Sequence, residues 1–130
     1  MFDKYMLCEQ GFQNVVENGT VTGFQFRARL PYYRGLGISM IENLAVTVDA
    51  EEFPREAIRV TLRGNTYSLD QMEQEYEERW EFGEEGLVTV QKPGGLTPGL
   101  HKIELEDTLR ISYLPFMLIG ADNKVLVLAE

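Results

Sequence analysis

An all-β fold is what this sequence predicts: an antiparallel β-sandwich, Ig-like or jelly-roll-like, carrying one short α-helix. Three observations predict it. Apolar residues alternate with polar ones in segment after segment, turns rich in Gly, Pro, Asn and Asp separate those segments, and only the stretch beginning at Ser68 has helical spacing. Short strands recurring in this way favour a sandwich over any βαβ arrangement.

Taken in order, Val15 to Val21 with Asn18-Gly19 at its centre reads as a hairpin, because that pair accepts the positive backbone angles of a tight turn. Phe24, Phe26, Ala28 and Leu30 then share one face while Gln25, Arg27 and Arg29 take the other, as a half-buried strand requires. Leu44, Val46 and Val48, and after a short acidic connection Ile58, Val60 and Leu62, repeat the pattern. Ser68 to Gln71 has the form of a capping box. Leu69, Met72 and Tyr76 follow it at helical spacing, predicting a short amphipathic helix. Leu87 to Val90 is a strand ending at Pro93-Gly94-Gly95, and His101, Ile103 and Leu105 alternate in the next. Leu109, Ile111 and Tyr113 repeat the pattern before Pro115, and Val125 to Leu128, after Asp122-Asn123-Lys124, offers a last strand that could close an edge.

A chain of 130 residues with 44% hydrophobic residues is of single-domain size, so residues 1–130 are expected to fold around one core without metal or disulfide staples. The formal charge of −9 argues against binding nucleic acid or anionic membranes. Much of the acid lies between Glu73 and Glu85, where a solvated face is the plain reading. Asp3, Lys4 and Glu9 interrupt the start, leaving no signal-peptide core, and no apolar run is long enough for a membrane span; a cytoplasmic location is the expectation. Cys8 is the only cysteine, and is expected to be a buried, inert thiol.

One histidine and one cysteine leave little material for a metal centre or a nucleophile and base pair, so no catalytic and no metal-binding residue is assigned to this chain. His101 invites a role as general base. It also fits a packed ring bonded across the turn, because it shares a face with Ile103 and Leu105. The glycines at 35, 37, 94, 95 and 99 open no helix after a strand, and serve turns or close backbone approach rather than a phosphate cradle. Tyr32, Tyr33 and Arg34 offer contact surface suited to a protein interface, to internal packing or to sugar stacking. Trp80 is a second platform or a core plug.

At Tyr32 to Gly35, Ser39-Met40-Ile41-Glu42, Trp80 to Gly83, Lys92-Pro93-Gly94-Gly95-Leu96 with Pro98, Gly99 and His101, and Leu109 to Tyr113, the chain resembles the small (β) subunit of bacterial C-glycoside deglycosidases. The likeness runs from Met1 to about Pro115. It implies a β-sandwich accessory subunit bound to a larger α subunit with a sugar isomerase or epimerase-like TIM barrel, in a higher αβ hetero-oligomer. It also implies a divalent metal, manganese, held by that partner, with no cofactor in this chain. Such lyase complexes cleave the C–C bond joining a 3-oxo-glucosyl group to an aromatic aglycone such as a flavonoid. The partner-contact or substrate-entrance candidates are Tyr32, Tyr33, Arg34, Gly35 and Met40 in one segment, and Pro93, Gly94, Gly95, Leu96 and His101 in the other. The contrasting expectation is a stand-alone carbohydrate-binding sandwich using Tyr32, Tyr33 or Trp80.

Overall fold

The structure is a computed structural model describing residues 3–32, 34–111 and 114–128. Three antiparallel sheets surround one hydrophobic core. The larger sheet contains β1 (Gln13–Glu17), β2 (Thr20–Ala28), β6 (Ile58–Leu62), β7 (Asn65–Ser68) and β9 (Gly86–Gln91) in the order β1-β2-β9-β6-β7. Opposite it, β4 (Ile41–Val48), β5 (Glu51–Glu52), β10 (Gly99–Leu109) and β11 (Leu118–Leu128) run in the order β11-β10-β4-β5. A two-stranded patch of β3 (Leu36–Gly37) and β8 (Arg79–Trp80) closes one end. This is the predicted all-β, sandwich-like architecture.

The period-two residues do what their spacing requires. Phe24, Phe26, Val46, Ile58, Val60, Val88, Val90 and Ile103 are wholly buried, and their odd-phase neighbours face outward. Asn18 and Gly19 take φ of 51° and 78°, closing the β1–β2 hairpin as expected. β11 begins at Leu118, well before Val125, and Asp122-Asn123-Lys124 lies inside the strand instead of ahead of it. Polar residues entered the strand because Asp122 and Lys124 are satisfied there. Lys124 Nζ binds Asp122 Oδ2 at 2.9 Å and the carbonyls of Lys4 and Leu7, while the Leu7 N–H donates to Asp122. Tyr113, predicted to continue the preceding strand, lies outside the described residues; β10 ends at Leu109.

The helix α1 (Leu69–Glu73) starts where predicted, with both hydrogen bonds of the Ser68–Gln71 capping box formed. Tyr76 does not extend it. The helix ends at Glu73 and Tyr76 is exposed, because the chain turns to deliver Glu78 to Arg63 and to the Tyr67 hydroxyl. Replacing Ser68 by Ala is expected to cost about 1 kcal/mol, read as a lower denaturant midpoint with an unchanged slope.

The acidic stretch is also more than a solvated face. Glu78 and Glu84 both pair with Arg63, and the Arg63 guanidinium is the main reason the Glu78 carboxyl is held below its ordinary pKa. Glu73 joins Asp70 on Arg55, whose guanidinium also reaches Asn43 and the Glu42 carbonyl, tying α1 to the start of β4.

Candidate functional site

The two candidate segments sit at opposite ends of the sandwich. Gly23 pairs with Gln91 and Ala28 with Gly86, so the Pro93–His101 segment hangs from one end of β2 and the Tyr32–Gly37 segment from the other. Five residue steps along the strand separate those pairs, about 17 Å at the usual rise.

At the first end, Leu30, Pro31 and Tyr32 are buried, with Tyr32 only 4% exposed. Of the three readings of this segment, internal packing is the one Tyr32 adopts within this chain, and Pro31 packs beside it at the mouth between the two sheets. A Cβ on Gly120 would meet Pro31 Cγ at 2.4 Å. Arg34 is exposed, Gly35 and Met40 are half-buried, and Tyr33 lies outside the described residues. Gly35 is fixed by its carbonyl accepting from Arg79 Nη2 at 3.0 Å, and the Met40 carbonyl accepts from the Arg110 N–H. Trp80 is the core plug of its two readings, being 1% exposed with its indole N–H donated to the Glu84 carbonyl at 2.8 Å.

At the other end, the loop is bound inward. The Asn14 side chain clamps Leu96 on both sides, accepting its N–H at 3.0 Å and donating to its carbonyl at 2.9 Å. Gly94 donates its N–H to Val21 and Gly95 to Lys92, so neither is available to an anion. Gly95 has φ of 61°, and a Cβ there would meet Asn14 Oδ1 at 2.4 Å. Pro93 and Gly94 are exposed, while Leu96 packs partly against the core.

His101 is 7% exposed, and both of its ring nitrogens face acceptors. Nδ1 lies 2.5 Å from Asp49 Oδ2 and Nε2 lies 2.6 Å from the Thr97 carbonyl oxygen. Neither a carboxylate nor a carbonyl can donate, so only the doubly protonated imidazolium satisfies both contacts. Desolvation is the largest influence on its pKa and lowers it. The Thr97 carbonyl and then the Asp49 carboxylate oppose that and prevail, leaving the pKa raised. Asp49 is held below its ordinary value first by His101 and then by the Lys102 N–H. The Phe12 ring packs edge-on to the imidazole at 6.1 Å. Of the two readings of His101, the packed ring bonded across the turn is the one the structure adopts.

Asp49 follows β4 in a turn, with a positive φ of 50° that Asp tolerates, and nothing near it in sequence points to His101, 52 residues on. Cys8 is buried, and desolvation foremost pushes its thiol pKa up, away from the thiolate that reactivity needs. Among the described residues no three His, Cys, Asp or Glu side chains converge as a metal site, and no helix is long and apolar enough to cross a membrane.

Fold and site together define a small antiparallel sandwich protein whose lone imidazole crosslinks its own loops. The chain belongs to the C-glycoside deglycosidase beta subunit family, whose model matches residues 2–113. It is 32% identical over 114 residues to a C-glycoside deglycosidase beta subunit of Eubacterium cellulosolvens, covering 87% of this chain and 78% of that one. A 3'-dehydrocarminate deglycosidase beta subunit of a Microbacterium species is 35% identical over 95 residues, covering 72% and 70%. A C-glycoside deglycosidase beta subunit of Arthrobacter globiformis is 31% identical over 111 residues, covering 81% of each.

Proposed function

We propose that this chain is the non-catalytic beta subunit of a cytoplasmic C-glycoside deglycosidase, bound in a hetero-oligomer to a larger barrel-type subunit that carries out the chemistry. The observation that carries the non-catalytic assignment is the setting of His101: both ring nitrogens are engaged by acceptors of this chain, Asp49 and the Thr97 carbonyl, which leaves neither turned to a substrate. Family membership and the names of the relatives support the subunit role.

In the proposed reaction the 3-oxo group acidifies the sugar C2 proton, which a base of the partner removes. The enolate then re-forms the C3 carbonyl as a C1–C2 double bond appears, and the bond to the aromatic carbon breaks with that carbon protonated. The partner's divalent metal, manganese in this reading, supplies stabilisation of the enolate oxygen. This chain's part is to stabilise the partner and shape the approach to its site, with Arg34, Gly35 and Met40 at one end and the Pro93–His101 loop at the other as separate contact points. Burial of Tyr32 and Trp80 removes two of the three aromatic platforms of a stand-alone sugar module, the third, Tyr33, lying outside the described residues.

The test is turnover of a 3-oxo C-glucoside with manganese by the large subunit alone, this chain alone, and the pair. Turnover by the pair only, with His101→Gln in the pair within about threefold of wild type, is expected. Loss of about a hundredfold or more at His101→Gln, in a pair that still assembles, would instead assign it a proton-transfer role.

A further inference from the structure

The two sheets differ in where the exposed large apolar side chains lie. On the five-stranded sheet a shallow concavity has a mixed lining, with Thr61, Thr66, Thr89 and Arg59 beside Val15 and Pro93. Among the described residues, six of the ten exposed large apolar side chains belong instead to the β10–β11 hairpin or the connection within it: Leu100, Phe116, Met117, Ile119, Val125 and Val127. Leu100 pairs directly with Val127, and Val125 lies two residues along the same face, so three exposed apolar side chains touch one neighbourhood.

β11 is moreover the edge of its sheet, and edge strands are ordinarily guarded by an outward charge. Here both charged residues of the strand, Asp122 and Lys124, alternate inward and hold the N-terminal segment. The outward series Ile119, Ala121, Asn123, Val125 and Val127 carries no charge at all. Beside it runs an acidic band. Glu52, Glu104 and Glu106 line a shallow depression with Ala45, Thr47 and Asn123, and Lys102 lies 3.6 Å from Glu104.

We infer that the outer face of the β11-β10-β4 sheet docks the large subunit, whose complementary surface is apolar with flanking Lys or Arg side chains. The inference rests on the subunit reading above. Charge decides the occupant: a second copy would set one band of three glutamates against another in a chain of formal charge −9, whereas a basic-rimmed apolar surface neutralises the band as it covers the hairpin.

The experiment measures binding of the co-expressed, separately purified large subunit to four forms of this chain: wild type, Val125→Glu/Val127→Glu, Glu104→Lys/Glu106→Lys, and Val16→Glu on the opposite sheet as control. Melting curves confirm folding of each. Expected are a loss of at least about tenfold in affinity for the apolar pair, a loss of about tenfold for the charge reversal that narrows as salt rises, and no change for Val16→Glu. Equal binding by all four forms overturns the docking face while leaving the subunit reading intact. Failure of the wild type itself to bind overturns both. A wild-type dimer that Val125→Glu/Val127→Glu converts to monomer assigns the face to a second copy and overturns the heterologous partner.

Discussion

Trp80→Ala is expected to remove about 3–5 kcal/mol of stability, which for a chain of this size lowers the melting temperature by roughly 10–20 °C. The indole is among the largest fully buried side chains and fills the end of the sandwich where β3 pairs with β8. Truncating it leaves a cavity and strands the Glu84 carbonyl that accepts its N–H. Gly86 has been shaped around the same ring, since a Cβ there would meet Trp80 Cζ2 at 2.6 Å. Gly86→Ala therefore overpacks the site that Trp80→Ala empties, at a cost of about 1–3 kcal/mol. The effect reaches a candidate contact segment. Leu36 is registered against Trp80, Arg79 holds the Gly35 carbonyl, and Ile38 donates its N–H to the Glu78 carbonyl. Urea unfolding followed by far-ultraviolet circular dichroism measures the loss without relying on the fluorophore that is removed. A loss below about 1 kcal/mol for Trp80→Ala would show that the plug is not what holds this end.

The strands were legible because burial on one side of a sheet forces period two on the sequence, and that signal survives without any tertiary knowledge. Ile58 to Leu62 could be bounded to the residue, and the Asn18-Gly19 turn and the Ser68 cap carry their own local chemistry. What stayed hidden is what distant residues decide. Nothing near Lys124 announces that its ammonium reaches the carbonyls of Lys4 and Leu7, which admits a charged stretch into the middle of β11. Nothing near Glu78 announces Arg63, and so the helix looked one turn longer than it is. The candidate segments were identified by composition, which marks turns reliably and says nothing of which end of a sandwich a turn occupies. Tyr32 shows the same limit: an aromatic after a proline reads equally as a surface platform and as a plug, and only the position of the opposing strand separates them.

The stability held by His101 is expected to depend on pH in a sense opposite to that of an ordinary buried neutral histidine. Its folded pKa lies above the unfolded value of about 6.5, so its contribution is complete below that pH and disappears as pH rises through the folded value. Asp49 sets the other limit. Its folded pKa is depressed, so its contribution is present above about pH 4 and is lost as pH falls through the folded value. The crosslink between Asp49, His101 and Thr97 is thus strongest between these limits. His101→Phe, which keeps the ring packing against Phe12 but donates nothing, should be less stable than wild type by about 2 kcal/mol near pH 5.5, with the difference shrinking at alkaline pH. Melting curves across pH and the imidazole resonances of this single histidine both read the effect. The same titration separates structure from catalysis. A general base becomes competent as it loses its proton, so a rate that rises through the His101 pKa and vanishes in an assembled His101→Gln pair would overturn the structural role. A crosslink fails as it loses its proton, and the geometry of two acceptor oxygens around one ring predicts that behaviour.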